Sequence, residues 1–171
     1  MKNTNKLTRY ITRAAVIAAL YTALTLISFV FGLSSGVIQL RLSEAFALLP
    51  ILMPEATLGL FVGCLLSNII TGCALWDVIF GSLATLIAAI ITRRLKDVRL
   101  PLIVKALPTV LANAIIVPLV LIYTYGADGS YLFFFITVGI GELISAGVFG
   151  TILFAYVSRS SALRRYFGAR K

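Results

Sequence analysis

A few side chains carry most of the chemistry this sequence can offer: Arg41, Glu44, Asn68, Trp76, Asp77, Asn113 and Glu142. Arg41 and Glu44 directly follow an uncharged run, 14–40, and Glu142 interrupts another, 129–158. Charges at such places are costly in hydrocarbon unless they pair or face a wet cavity. Arg41 and Glu44 are three apart and can simply pair with each other. The alternative is a binding pocket that joins carboxylates, side-chain amides and an aromatic ring. A carboxylate accepts two parallel N–H bonds from an amidine-like edge such as that of guanine, and Asn68 or Asn113 satisfies both donors and acceptors. Trp76 or a nearby tyrosine would stack on a planar ring; as a bland alternative, Trp76 is an interfacial belt residue.

Other chemistries are excluded or disfavoured. The chain has no histidine, which removes His-based triads and His metal sites. It has no Gly-x-x-x-x-Gly-Lys-Ser/Thr loop, so it is not expected to hydrolyse ATP by itself. Cys64 and Cys73 have no metal-ligand spacing and are expected to be buried small residues. An enzyme would have to run on Asp77, Glu44 and Glu142 alone, which argues against one. Neither a metal nor a cofactor is expected.

The elements that must position these groups are membrane helices. Of 171 residues, 60% are apolar and only 12% charged, far from the quarter charged of soluble domains. Uncharged runs at 14–40, 56–76, 78–92, 106–127 and 129–158 allow five full spans and one short one, at about 20 residues per crossing. The expectation is an all-α integral membrane protein, one domain over 1–171, with six transmembrane helices at 8–31, 43–53, 55–72, 77–92, 103–125 and 131–157. The first apolar segment lacks a small-residue cleavage site and is too long for a signal peptide, so it is expected to be retained.

The net charge of +9 is distributed as membrane topology requires rather than as nucleic-acid binding would. Lys2, Lys6, Arg9 and Arg13 precede the first span. Arg93, Arg94, Lys96, Arg99 and Lys105 surround the fourth-to-fifth connection, and Arg159, Arg164, Arg165, Arg170 and Lys171 follow the last span. With six spans and both termini cytoplasmic, every basic residue except Arg41 lies on the cytoplasmic side.

Local signals refine the spans. Small residues recur at Ala14/Ala18 and Ala15/Ala19, a strip that allows close helix approach, internal or to a partner. Gly32 to Gly36 opens a loop, Ser43 is a candidate N-cap with Glu44 in the first turn, and Pro50 and Pro54 end the short span. Asn68 shares a face with Cys64 and Thr71 and can equally be interhelical glue. Pro108 and Pro118 flank Asn113, a pattern that often accompanies a cavity. Glu142 lies roughly 15–18 Å along its helix from Tyr131, at 1.5 Å per residue.

Four segments, Gln39-Leu-Arg-Leu-Ser-Glu-Ala, Gly59-Leu-Phe-Val-Gly-Cys-Leu-Leu-Ser-Asn68, Asp77-Val-Ile-Phe-Gly-Ser-Leu-Ala-Thr-Leu and Gly139-Ile-Gly-Glu142-Leu, resemble the QueT family. These are substrate-binding (S) components of energy-coupling-factor transporters, and the resemblance covers roughly Ile11 to Tyr156. It implies a six-helix S-component of a bacterial plasma membrane that captures a queuosine precursor, a 7-deazaguanine. A transmembrane coupling protein and two ATPases would drive uptake. It further implies that the alanine strip docks the coupling protein, through Ala15 and Ala19 or, in the other register, Ala14 and Ala18. On this reading one of Glu44 and Glu142 accepts the N–H pair and Asn68 and Asn113 address the carbonyl and ring nitrogens. Asp77 or the second glutamate receives an aminomethyl cation, and Arg41 holds Glu44. Two competitors are an S-component for another vitamin and a stand-alone channel or proton-coupled carrier with Glu142 as relay.

Overall fold

The computed structural model describes residues 2–34 and 38–160, with side chains from residue 6 onward. Part of the Gly32 to Gly36 loop and the basic residues Arg164, Arg165, Arg170 and Lys171 lie outside the described residues. The chain forms α1 (Lys2–Val30), a 3-10 segment (Leu42–Leu48) running into α2 (Leu49–Leu52), α3 (Glu55–Ile70) and α4 (Leu75–Arg94). It continues with α5 (Leu102–Lys105), α6 (Leu107–Tyr123), α7 (Tyr131–Glu142), a π-helical segment (Leu143–Phe149) and α8 (Gly150–Arg159). Among the described residues there is no strand, and the molecule is an all-α membrane bundle.

Four helical stretches are long and apolar enough to cross a membrane: Lys6–Val30, Leu75–Arg94, Leu102–Tyr123 and Tyr131–Arg159. Leu42–Leu52 and Glu55–Ile70 are shorter. The third span, expected at full length, is therefore a 16-residue helix, about 24 Å long at 1.5 Å per residue. Gly72, with φ of +73°, stops it, because that left-handed backbone suits glycine.

Helix pairing follows glycine. A Cβ on Gly59 would meet the Ala14 carbonyl and Ile17 Cβ at 2.8 Å, and one on Gly63 would meet Tyr21 Cβ at 2.8 Å. Gly59 and Gly63 form a Gly-x-x-x-Gly pair, which lets backbones approach where packing alone drives association. Ala14 and Ala18 are consequently buried against α3, while Ala15 and Ala19 are exposed. Ile17, Tyr21, Leu49, Met53, Leu60 and Val157 complete the core beside this contact.

The short second element is pinned rather than capped. Ser43 was the expected N-cap, but that position falls to Arg41 and no side chain caps the segment. Ser43 Oγ instead accepts from Thr25 Oγ1 at 2.8 Å, and Ser28 Oγ accepts from the Leu42 amide at 2.9 Å. Both partners are on α1, so tertiary hydrogen bonds outcompete a local cap. Pro50 sits in the first turn of α2, where its missing N–H costs nothing, and Pro54 precedes α3.

Contacts sort the helix ends into two groups. Arg13, Glu55, Pro50, Arg93, Lys96 and Lys105 meet at a basic end. Thr25, Arg41, Asn68, Asp77 and Tyr125 meet at the other, around a cavity.

Candidate functional site

The cavity encloses about 220 Å³. Thr25 and Phe29 of α1 form one wall, and Val117, Val120 and Leu121 of α6 form the opposite one. Gln39 and Arg41 enter from the loop before the 3-10 segment, and Asn68, Thr71, Cys73 and Asp77 from the α3–α4 corner. Gly141 is what brings the loop in. A Cβ there would lie 2.0 Å from the Gln39 carbonyl oxygen, so only glycine lets residues 39–41 pass against α7.

Asp77 stands in the first turn of α4 and is 7% exposed; a carboxylate there suits the helix dipole. Its Oδ2 accepts from the Tyr125 hydroxyl at 3.0 Å, and the same hydroxyl accepts from the Ala74 amide at 2.9 Å. Tyr125 lies beyond the end of α6. Burial pushes its phenol up to about 12 against the opposing Ala74 amide, with the Asp77 charge adding to the rise. It is therefore a neutral donor at neutral pH. Asp77 Oδ1 and Asn68 Nδ2 both point toward Gly81, where an added Cβ would meet them at 3.3 and 3.2 Å. Asn68 Nδ2 has only a weak contact to Cys64 Sγ, at 3.7 Å. A carboxylate oxygen and a carboxamide thus stand together with hydrogen-bonding capacity to spare.

Arg41 does not pair with Glu44. Among the described residues Arg41 has no ion pair, and its charged neighbours Asp77 and Glu142 act on it from beyond contact distance. Glu44, 2% exposed, accepts instead from the Tyr21 hydroxyl. The role expected of Arg41, holding Glu44, belongs to Tyr21.

The remaining candidates divide. Glu44, Asn113 and Glu142 do not line the cavity; they form a buried layer next to it, in which Glu44, Arg41 and Asn113 neighbour Glu142. Glu142 Oε2 and Ser145 Oγ are buried without a hydrogen-bond partner among the described residues. The π-helical segment starts immediately after Glu142, an irregularity that helices often keep at functional sites. Trp76 is outside altogether. It is 56% exposed, stacks on Phe80 with centroids 5.8 Å apart, and lines a separate surface groove with Tyr123. Its neighbour Asp77 points inward, so adjacency in sequence placed the two on different faces of α4. The rings that do line the cavity are Phe29 and Tyr125. Sequence reading did not single out Tyr125 or Thr25. Tyr125 is 48 residues from Asp77, and no spacing rule links them.

Of the two alanine registers, Ala14 and Ala18 are buried beside α3, whereas Ala15 and Ala19 are exposed. Cys64 is buried, as expected, whereas Cys73 is half-buried at the cavity wall. Among the described residues no group of three or more acidic, Cys or His side chains has the arrangement of a metal site.

The model of the QueT transporter family matches residues 11–159. Comparison with curated proteins and with solved structures returned no match. With a match over most of its length, on a bundle of membrane-crossing helices, this chain belongs to the QueT transporter family.

Proposed function

We propose that this chain is the substrate-binding component of an energy-coupling-factor transporter in a bacterial plasma membrane, and that it captures a 7-deazaguanine precursor of queuosine at the outer face. The observation that carries the substrate reading is that Asp77 and the Asn68 carboxamide both line one cavity of about 220 Å³, with their Oδ1 and Nδ2 both beside the same Gly81 position. A pyrimidine-edge N–H pair would fall to Asp77, the ring carbonyl to Asn68 or Arg41, and Phe29 or Tyr125 would stack on the ring. This revises the sequence assignment: Asp77 takes the edge-binding role first given to Glu44 or Glu142. Glu142, Glu44 and Asn113 form a buried layer beside Arg41, and a ligand's aminomethyl cation would fall to whichever glutamate of that layer it can reach.

Uptake would require a transmembrane coupling protein and two ATPases. The exposed Ala15/Ala19 face of α1 is the proposed docking strip, beside a shallow groove formed with Leu58 and Val62. Calorimetric titration of the purified chain with 7-deazaguanines, guanine, thiamine and riboflavin tests the substrate. Saturable binding of the 7-deazaguanines alone supports it, and binding of thiamine or riboflavin instead overturns it. Co-purification of the ATPases tests coupling, with Ala15→Leu/Ala19→Leu expected to abolish it while ligand binding persists.

A second reading, a stand-alone proton-coupled carrier, is favoured by the buried, unpartnered Glu142 Oε2. Uptake into liposomes containing this chain alone would establish it and remove the need for the ATPases.

A further inference from the structure

Toward the basic end, α4, α6 and the connection between them line an apolar groove of about 450 Å³. Ile87, Ile91 and Leu95 line one side and Leu107, Leu111 and Ala112 the other. The α4 residues recur every four positions, so they form a straight strip about 12 Å long. Arg94, exposed, immediately precedes the groove residue Leu95 in the chain. Arg99 precedes the groove residue Leu100.

These two arginines differ from their neighbours. Arg93 donates to the Pro50 carbonyl at 2.9 Å and Lys105 to the Lys96 carbonyl at 3.3 Å, both partly buried. Lys96 is 3.7 Å from Asp97. Arg94 and Arg99 are exposed and have no acidic partner among the described residues. The connection that carries Arg99 is held in place by the Lys105 bond and by Thr92 Oγ1 donating to the Lys105 carbonyl at 3.4 Å. Each of these two exposed arginines, unpaired among the described residues, is thus the chain neighbour of a groove residue, Leu95 or Leu100.

We propose that this groove binds one acidic phospholipid, with an acyl chain along Ile87, Ile91 and Leu95 and the phosphate between Arg94 and Arg99. Charge complementarity selects the occupant. A zwitterionic lipid would fill the apolar strip equally well but would leave the two arginines uncompensated, whereas basic clusters next to membrane helices attract anionic headgroups. The site lies at the end of the bundle opposite the cavity and does not depend on the ligand reading.

The test is native mass spectrometry and thermal unfolding of the purified chain titrated with phosphatidylglycerol or phosphatidylcholine. Phosphatidylglycerol is expected to be retained and to raise the unfolding temperature at concentrations about tenfold or more below those needed for phosphatidylcholine. Arg94→Gln/Arg99→Gln should erase that preference, because both side chains are on the surface and the fold does not need them. Ala112→Phe, which fills the groove, should lower retention of both lipids. Equal retention of the two lipids by the unaltered chain would overturn the proposal, as would an unchanged preference in the double variant. Inorganic phosphate reproducing the stabilisation would reduce the site to an anion site without an acyl chain and overturn it too. A dimer in phosphatidylcholine nanodiscs that disappears with Ala112→Phe would assign the groove to a second copy of the chain, with the same consequence.

Discussion

The two ends of this bundle carry similar residues and treat them differently. At the basic end the charges drawn into the bundle are partnered, apart from Glu55 Oε2. Arg13 is 3.1 Å from Glu55 Oε1, with 13% and 10% of the two side chains exposed, and Arg93 and Lys105 each donate to a backbone carbonyl. Arg94 and Arg99, unpaired among the described residues, are on the surface. At the cavity end Arg41 has no such partner among the described residues, Asn68 Nδ2 has only a sulfur, and Asp77 keeps one oxygen unused. Folding physics explains the first arrangement, since charges withdrawn from water are retained when they are paired and hydrogen-bonded. It does not explain the second. A membrane protein that leaves polar groups unused around a cavity keeps them for something that comes and goes.

That contrast makes ordered predictions, and the largest effect belongs to the basic end. Arg13→Ala strands Glu55 in a largely buried setting and should cost about 2–4 kcal/mol of stability, as removal of one member of a buried pair does. Thermal unfolding would read this, while ligand affinity stays within about twofold. An unchanged melting temperature would show that the pair is not structural and would break the contrast. At the cavity end the pattern should invert. Asp77→Asn and Arg41→Gln should each lower affinity about tenfold to a hundredfold, the worth of a hydrogen bond to a charged group, with little change in melting temperature. Calorimetry decides this; if both variants unfold early and bind normally, the polar groups are architectural after all.

Smaller effects sharpen the picture. Tyr125→Phe removes the donor that holds Asp77 Oδ2 and should weaken binding about twofold to tenfold, less than loss of Asp77 itself because the effect on a ligand is indirect, about 0.5–1.5 kcal/mol. Cys73, at the cavity wall, should react with a polar thiol reagent and be protected by bound ligand, whereas the buried Cys64 should stay unmodified. A mass shift at Cys73 that is insensitive to ligand would move the ligand elsewhere. The smallest effect is expected for Trp76→Phe, which should leave affinity within about twofold because the indole faces away from the cavity.

How much of this could be read from residues in a row depends on the range of the interaction. Apolar runs longer than a membrane crossing are a local property, so the all-α bundle follows from them directly. The Gly59/Gly63 pair is also local. It was open to reading as a partner of the alanine strip, because two small-residue faces on adjacent helices tend to meet, but which register it meets is a matter of packing. Ser43 misled for the opposite reason: its sequence context suits a cap, but Thr25 on another helix supplies a better partner. Trp76 and Asp77 misled because neighbours on a helix are about 100° apart and face different surroundings.

The sequence alone therefore determined the solvent this protein lives in, its helical class and the small set of polar residues that hydrocarbon would not tolerate without cause. Those conclusions need only composition, run length and charge, each summed over neighbouring residues. Tertiary structure decided which of the polar residues meet. Tyr125 reaches Asp77, Tyr21 takes Glu44 from Arg41, and Gly141 admits the loop that brings Arg41 to the cavity. Each of these contacts joins residues on separate elements of the chain, and their distance in space is fixed by packing that no local pattern encodes.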